Sequence, residues 1–159
     1  IDARIYHVGR LDRESEGLLL MTNDGEFANA LTHPSMHVPK TYRVTIHPSL
    51  SKEQRAALEN GVEIDGKMTL PSEVRVVSRE EGRVVIELTI FEGRNRQIRK
   101  MCESLGLEVA RLKRIKIGSV KLGMLKTGVY RHLTPDEVHA LMTSAEQSGN
   151  LRRGLNDKI

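Results

Sequence analysis

The spacing of apolar residues changes period several times along the chain, and each change marks an element. Ile5 to Val8 is a short apolar run stopped by Gly9, and Leu18 to Met21 is a second run stopped by Asn23-Asp24-Gly25. The polar stretch between them reads as a loop held by two short strands. Glu26 to Thr32 has helical spacing, with Phe27, Ala30 and Leu31 on one side, and His33-Pro34 ends it because proline disfavours a helical residue before it. Tyr42, Val44 and Ile46 alternate with Thr41, Arg43 and Thr45, the pattern of a strand with one buried face.

Ser51-Lys52-Glu53-Gln54 has the form of a capping box, opening a helix that closes near Gly61. Asp65-Gly66-Lys67 between Val62–Ile64 and Met68–Leu70 predicts a hairpin, and Glu80-Glu81-Gly82 between Glu73–Ser78 and Arg83–Ile90 predicts another. Ile98, Met101, Cys102 and Leu105 form a helical stripe ended by Gly106. The segment from Val109 to Ile117 mixes apolar residues with Arg111, Lys113, Arg114 and Lys116, predicting a strand whose exposed face is almost wholly basic. Gly118, Gly123 and Gly128 punctuate shorter strands ending near Val129 to Leu133. Thr134-Pro135-Asp136-Glu137 then starts a last helix, running through Met142. Consecutive hairpins with interspersed helices imply an α+β fold on a largely antiparallel sheet.

Composition narrows the class. With 159 residues, no tryptophan and 3% aromatic residues, the chain builds one domain around an aliphatic core. One cysteine, Cys102, excludes an internal disulfide or a cysteine-based zinc cluster, and no apolar run is long enough to span a membrane. A soluble cytoplasmic monomer is expected. Net charge is +4, but it is segregated: Arg94 to Arg131 holds eleven Lys and Arg against two Glu, a balance of +9 that leaves the remainder at −5. A block of one sign in an otherwise acidic chain points to a phosphate backbone as partner. The six histidines show no metal-binding spacing, and there is no phosphate-binding glycine loop or dinucleotide fingerprint, so neither metal nor cofactor is expected.

The candidate chemistry lies in the first loop, where Asp12 stands between Arg10 and Arg13. Alone, such an aspartate caps a turn or pairs with an arginine as readily as it reacts. Its surroundings add to that. Gly9-Arg10-Leu11-Asp12, then Gly17-Leu18-Leu19-Leu20 and Thr22-Asn23-Asp24-Gly25, resembles the signature loop of the RsuA/RluB branch of the pseudouridine synthases. A second stretch, Glu92-Gly93-Arg94-Asn95-Arg96-Gln97-Ile98-Arg99, is similar to the arginine-bearing motif of the same family, and the likeness runs from about residue 5 to 142 through Arg114-Ile115, Gly118 and Leu133-Thr134.

The resemblance implies the pseudouridine synthase catalytic fold, a mostly antiparallel bent sheet with flanking helices and a central cleft, over residues 1–143, with 144–159 as a tail. It makes Asp12 the catalytic nucleophile, Arg99 the arginine paired directly with it, and Tyr42 the active-site tyrosine. It implies conversion of a uridine in ribosomal RNA, of the large subunit in particular, to pseudouridine without a cofactor. Arg10, Lys40, Arg43, Arg94, Arg96, Lys113, Arg114 and Lys116 are then expected to contact RNA. Two features usual in the family, a lysine-proline-glycine strand and a small RNA-binding domain ahead of the aspartate motif, have no counterpart here, so an N-terminal strand is expected to be missing. The competing reading is a non-catalytic RNA-binding or ribosome-assembly module of the same fold.

Overall fold

A computed structural model describes residues 4–33 and 38–145. The centre is a six-stranded sheet. Strands β4 (Lys40–His47), β7 (Glu73–Glu80), β8 (Arg83–Ile90), β9 (Glu108–Ile117) and β10 (Val120–Lys121) lie in the order β10-β9-β4-β8-β7, all neighbours antiparallel. The sixth, β2 (Glu16–Gly17), pairs with β9 in parallel. Outside it, β1 (Tyr6–Val8) pairs with β3 (Leu20–Thr22), and β5 (Glu63–Ile64) with β6 (Lys67–Met68). The expected hairpin turn is present, with Asp65 and Gly66 both at positive φ, as a two-residue connection requires.

Helix α1 (Gly25–Thr32) is capped by the Asp24 carboxylate, which accepts from the N–H groups of Glu26 and Phe27. Helix α2 (Lys52–Asn60) has the reciprocal Ser51–Gln54 capping box that its sequence predicts. Helix α3 (Gln97–Ser104) buries Ile98, Met101 and Cys102 against the sheet, and burial pushes the Cys102 thiol up to about 12. Helix α4 covers residues 135–145 and starts at a second reciprocal pair, Thr134 and Glu137. It runs past the predicted end at Met142, and from residue 146 the predicted tail lies outside the described residues. The strand expected near Val129 to Leu133 does not form: β10 is followed by turns that leave Val129 and Tyr130 exposed.

Strict alternation along β4 and β8 gives the sheet two unlike faces. Val44, Ile46, Ile86 and Leu88 point into a core closed by α2 and α3, while Thr41, Arg43, Glu87 and Thr89 line the opposite face. A second core gathers Val8, Leu18, Leu20, Leu31, Val38, Val120 and Leu141 around the β1–β3 ribbon, α1 and α4. The functional cleft opens where these two cores meet.

Candidate active site

That junction encloses a cleft of about 920 Å³ whose apolar walls come from both cores, Val8, Leu31 and Val38 on one side and Ile90, Ile98 and Leu112 on the other. Asp12 lines it from the loop between β1 and β2. The Ser15 N–H donates to the Asp12 carbonyl at 2.9 Å, closing a turn. Beyond the turn, the chain is fastened to β9 from both directions: the Leu18 N–H donates to the Arg114 carbonyl at 2.8 Å, and Arg114 Nε donates back to the Leu18 carbonyl at 2.8 Å. Gly17, at φ +114°, makes this approach possible, since a Cβ there would collide with the Arg114 backbone.

Arg99 does not pair directly with Asp12, contrary to expectation. Its Nη2 donates to the Glu14 carbonyl at 2.8 Å, and its Nε lies 3.8 Å from Glu14 Oε2, buried and without a hydrogen-bond partner. The turn from Asp12 to Ser15 carries Glu14 across the start of α3, so Glu14 reaches the arginines first. It also accepts from Arg96 at 3.0 Å, and Arg96 holds the Glu14 carboxyl below its ordinary range, with Arg99 adding to the effect. Arg96 takes a left-handed backbone at φ 51°, which for a residue other than glycine costs about 1 kcal/mol. Arg99 thus braces the backbone of the aspartate loop rather than the carboxylate itself.

Tyr42 sits where the alternation of β4 predicts, on the cleft face, in a row with Leu88 on one side and Arg114 on the other. Arg114 departs from expectation. The sequence assigns it to an exposed basic face shared with Lys113 and Lys116, but it is 2% exposed and faces the cleft. Plain alternation puts Arg114 on the inward face of Leu112, opposite to Lys113. A register shift between Thr41 and Tyr42, opposite which β9 spends one extra residue, Ile115, then moves Lys116 away from Arg114 and onto the face of Lys113. Lys40, also expected as a surface contact, is largely buried in the cleft wall. Burial, with the charge of Arg114 adding to it, pushes its ammonium down to about 8.

The remaining expected contacts divide. Arg10 is exposed at the cleft, and Arg96 lines it. Arg94 lines it too, but its guanidinium is spent on the carbonyls of Ile64 and Lys67, tying the β5–β6 hairpin to the site. Arg43, Lys113 and Lys116 lie on the reverse face, where Arg43 pairs with Glu87 at 3.3 Å. Three residues that shape the site escaped the sequence reading: Glu14, Gly17 and Gln97. Gln97 is buried, accepting from the Arg94 N–H at 3.2 Å and donating to Glu92 at 3.0 Å. Its place inside the second motif is the signal that marks it.

Among the described residues there is no cluster of three or more His, Cys, Asp or Glu able to hold a metal ion, and no helix is long and apolar enough to cross a membrane. A carboxylate, a tyrosine and several cations around a cleft between two cores define a site for a flat, polar, anionic ligand. The RNA pseudouridylate synthase family model matches residues 2–104, and the chain belongs to that family. It is 43% identical over 152 residues to the ribosomal large subunit pseudouridine synthase B of Bacillus subtilis, covering 94% of this chain and 62% of the relative. An uncharacterized RNA pseudouridine synthase of Aquifex aeolicus is 37% identical over 141 residues, covering 89% and 57%. A crystal structure of a pseudouridylate synthase superposes with a TM-score of 0.79 at 36% identity, covering 86% of this chain and 59% of the other. The chain therefore spans about 60% of the length of these relatives.

Proposed function

We propose that this chain carries the catalytic domain, residues 1–143, of a ribosomal RNA pseudouridine synthase, with Asp12 as the nucleophile. The observation that carries the reading is the placement of the Asp12 loop: it is pinned at Glu14, Gly17 and Leu18 to elements far along the chain, and it borders a cleft that also holds Tyr42. A binding module has no need to fix one carboxylate so firmly opposite a tyrosine. The large ribosomal subunit is the preferred source of substrate because the Bacillus subtilis relative bears that name.

The reaction moves the bond between ribose and uracil from nitrogen 1 to carbon 5, with no redox change and no group donor, so one well-placed carboxylate suffices. The target base must leave its stack, at a cost of a few kcal/mol offset by contacts in the cleft. Tyr42 presents a flat ring for the extruded base, with a hydroxyl near carbon 5 to assist removal of its proton. Arg10 and Arg96, at the cleft, take the flanking phosphates. Arg99 keeps the Asp12 loop in place through the Glu14 carbonyl.

The test is release of tritium from RNA labelled at carbon 5 of uracil. Asp12→Asn is expected to keep the fold and RNA retention on a filter while turnover falls by about 10⁴-fold or more. Normal turnover by the folded variant refutes the role of Asp12, and a folded wild-type chain that binds RNA without turnover favours the non-catalytic module.

A further inference from the structure

Two cations in the cleft wall lack an anionic partner among the described residues. Arg114 is 2% exposed, gives Nε to the Leu18 carbonyl, and leaves a buried Nη2 with no hydrogen-bond partner. Lys40 lies on the neighbouring strand and donates at 3.2 Å to the Val38 carbonyl, not to a carboxylate. The carboxylate of Glu92, which also lines the cleft, accepts from the Leu70 N–H at 2.9 Å and from Gln97 at 3.0 Å. Gly93 lies beside the ammonium: a Cβ there would stand 3.8 Å from Lys40 Nζ, in ordinary contact with it.

A buried cation without a counter-charge destabilises a fold, and an apolar residue of similar length does the packing without that cost. Arg114 Nε ties β9 to Leu18 and Lys40 holds the Val38 carbonyl, but neither cation meets a counter-charge and Arg114 Nη2 has no partner in the folded chain. They gain a counter-charge when something negatively charged occupies the cleft next to Asp12 and Tyr42.

We propose that Lys40 and Arg114 form an oxyanion site for the uracil of the target nucleotide, holding the negative charge that the base carries once its bond to ribose breaks. This rests on the synthase reading above and adds a binding site to it. When the bond from C1′ to nitrogen 1 breaks, both electrons leave with the base. The sugar carbon is satisfied either by the Asp12 carboxylate or by loss of a proton from C2′. In both routes uracil becomes a monoanion with charge spread over nitrogen 1 and the two carbonyl oxygens. Carbon 5 of that anion then bonds to C1′ as the Asp12 carboxylate leaves it or as the proton returns to C2′; carbon 5 loses its proton and nitrogen 1 takes one up, so the product is an isomer and no electron is gained or lost. Fixed donors in a water-poor wall strengthen as this charge develops, which lowers the barrier to bond breaking. A phosphate is the other oxyanion such a site would accept, and it would act on binding rather than on the chemical step.

The experiment compares wild type, Lys40→Met and Lys40→Arg on two RNAs, one with ordinary uracil tritiated at carbon 5 and one transcribed with 5-fluorouracil. Fluorine makes the leaving base more acidic, so its anion needs less help; carbon 5 then has no proton to lose, the rearranged ring keeps its fluorine and takes up water at carbon 6, and turnover is followed as loss of 5-fluorouridine by chromatography of digested nucleosides. Lys40→Met is expected to lower kcat on uridine RNA by about 100-fold with little change in KM. The loss on 5-fluorouridine RNA should be at least several-fold smaller, and Lys40→Arg should recover much of the activity. An equal loss on both RNAs overturns the proposal, as does a loss confined to KM, which a phosphate site predicts. Melting gives a readout independent of turnover: Lys40→Met should melt at the same or a higher temperature, and a clear drop makes Lys40 a structural support and also overturns it. A folded wild type without turnover defeats the synthase reading itself, whereas an active wild type matched by an active Lys40→Met defeats this site alone.

Discussion

The two faces of the central sheet carry similar charged side chains and treat them in opposite ways. On the reverse face, Glu87 sits between Arg75 at 2.8 Å and Arg43 at 3.3 Å, Thr41 and Thr89 share a hydrogen bond at 2.9 Å, and Lys113 and Lys116 border an open groove of about 670 Å³. On the cleft face, one residue along in register, Arg114 is buried and Lys40 half-buried, neither with a carboxylate. Charges on the first face are paired or hydrated, so little is gained or lost by them; exposed pairs of that kind contribute about 1 kcal/mol or less. Charges on the second face cost stability in the empty protein. A uniform basic stripe along β9 in sequence thus becomes two populations of cation with different physics.

The sharpest way to break this contrast is to dislodge the strand that holds Arg114 and the Asp12 loop together. Gly17→Ala places a methyl group against the Arg114 carbonyl at a positive φ. It is expected to cost about 3 kcal/mol and to abolish turnover, seen as a lower melting temperature together with lost tritium release. A conserved melting temperature would show that the β2–β9 contact is dispensable.

Lys40 sharpens the contrast through pH. Its pKa falls from 10.5 unfolded to about 8 folded. Below pH 8 it is charged in both states and the folded state bears the full cost of burying it. Between pH 8 and 10.5 the unfolded chain binds more protons, so this group's contribution to stability rises with pH, and above 10.5 the cost is gone. Lys40→Met should therefore stabilise the chain at pH 7 by up to about 3 kcal/mol, with the advantage over wild type shrinking as pH passes from 8 to 10.5. Denaturant titrations of both proteins at pH 7 and pH 10 check the sign.

The smallest effect is expected on the reverse face. Lys113→Ala with Lys116→Ala should leave melting and turnover on a short stem–loop within about two-fold, because neither residue faces the cleft and both are partly solvated. The log-log salt slope of binding for that stem–loop should change little, whereas Arg10→Ala should flatten it by about one. A reduced slope in the double variant would put the reverse face in contact with the same RNA.

Most elements were legible because their signals are local. Capping at Ser51, the Asp65-Gly66 turn, the Ile98-Met101-Cys102 stripe and the alternation of β4 each depend on residues a few positions apart, and each stands as read. The positions of Asp12 and Tyr42 beside one cleft followed from motif and alternation together. What could not be read were features set by register between distant strands. Alternation from Leu112 already turns Arg114 inward, but the extra residue at Ile115 moves Lys116 to the opposite face, and nothing in the run Arg111 to Lys116 announces where a bulge will fall. The choice of Glu14 over Asp12 by Arg99 likewise depends on the path of a turn, not on the spacing of charges. The strand expected near Val129 rested on glycine punctuation, which marks turns but does not specify a pairing partner.

The parallel contact between β2 and β9 has a kinetic consequence. It joins residues 96 positions apart, between Leu18 and Arg114, through only two paired residues and a reciprocal pair of hydrogen bonds. Closing so long a loop is entropically costly and the local reward is small, so this seam should form after the β7–β8 hairpin and the long β4–β8 pairing have set. A probe on the Asp12 loop would then report the last step of folding, and the reactive carboxylate would be the final group to be fastened as the molecule takes shape.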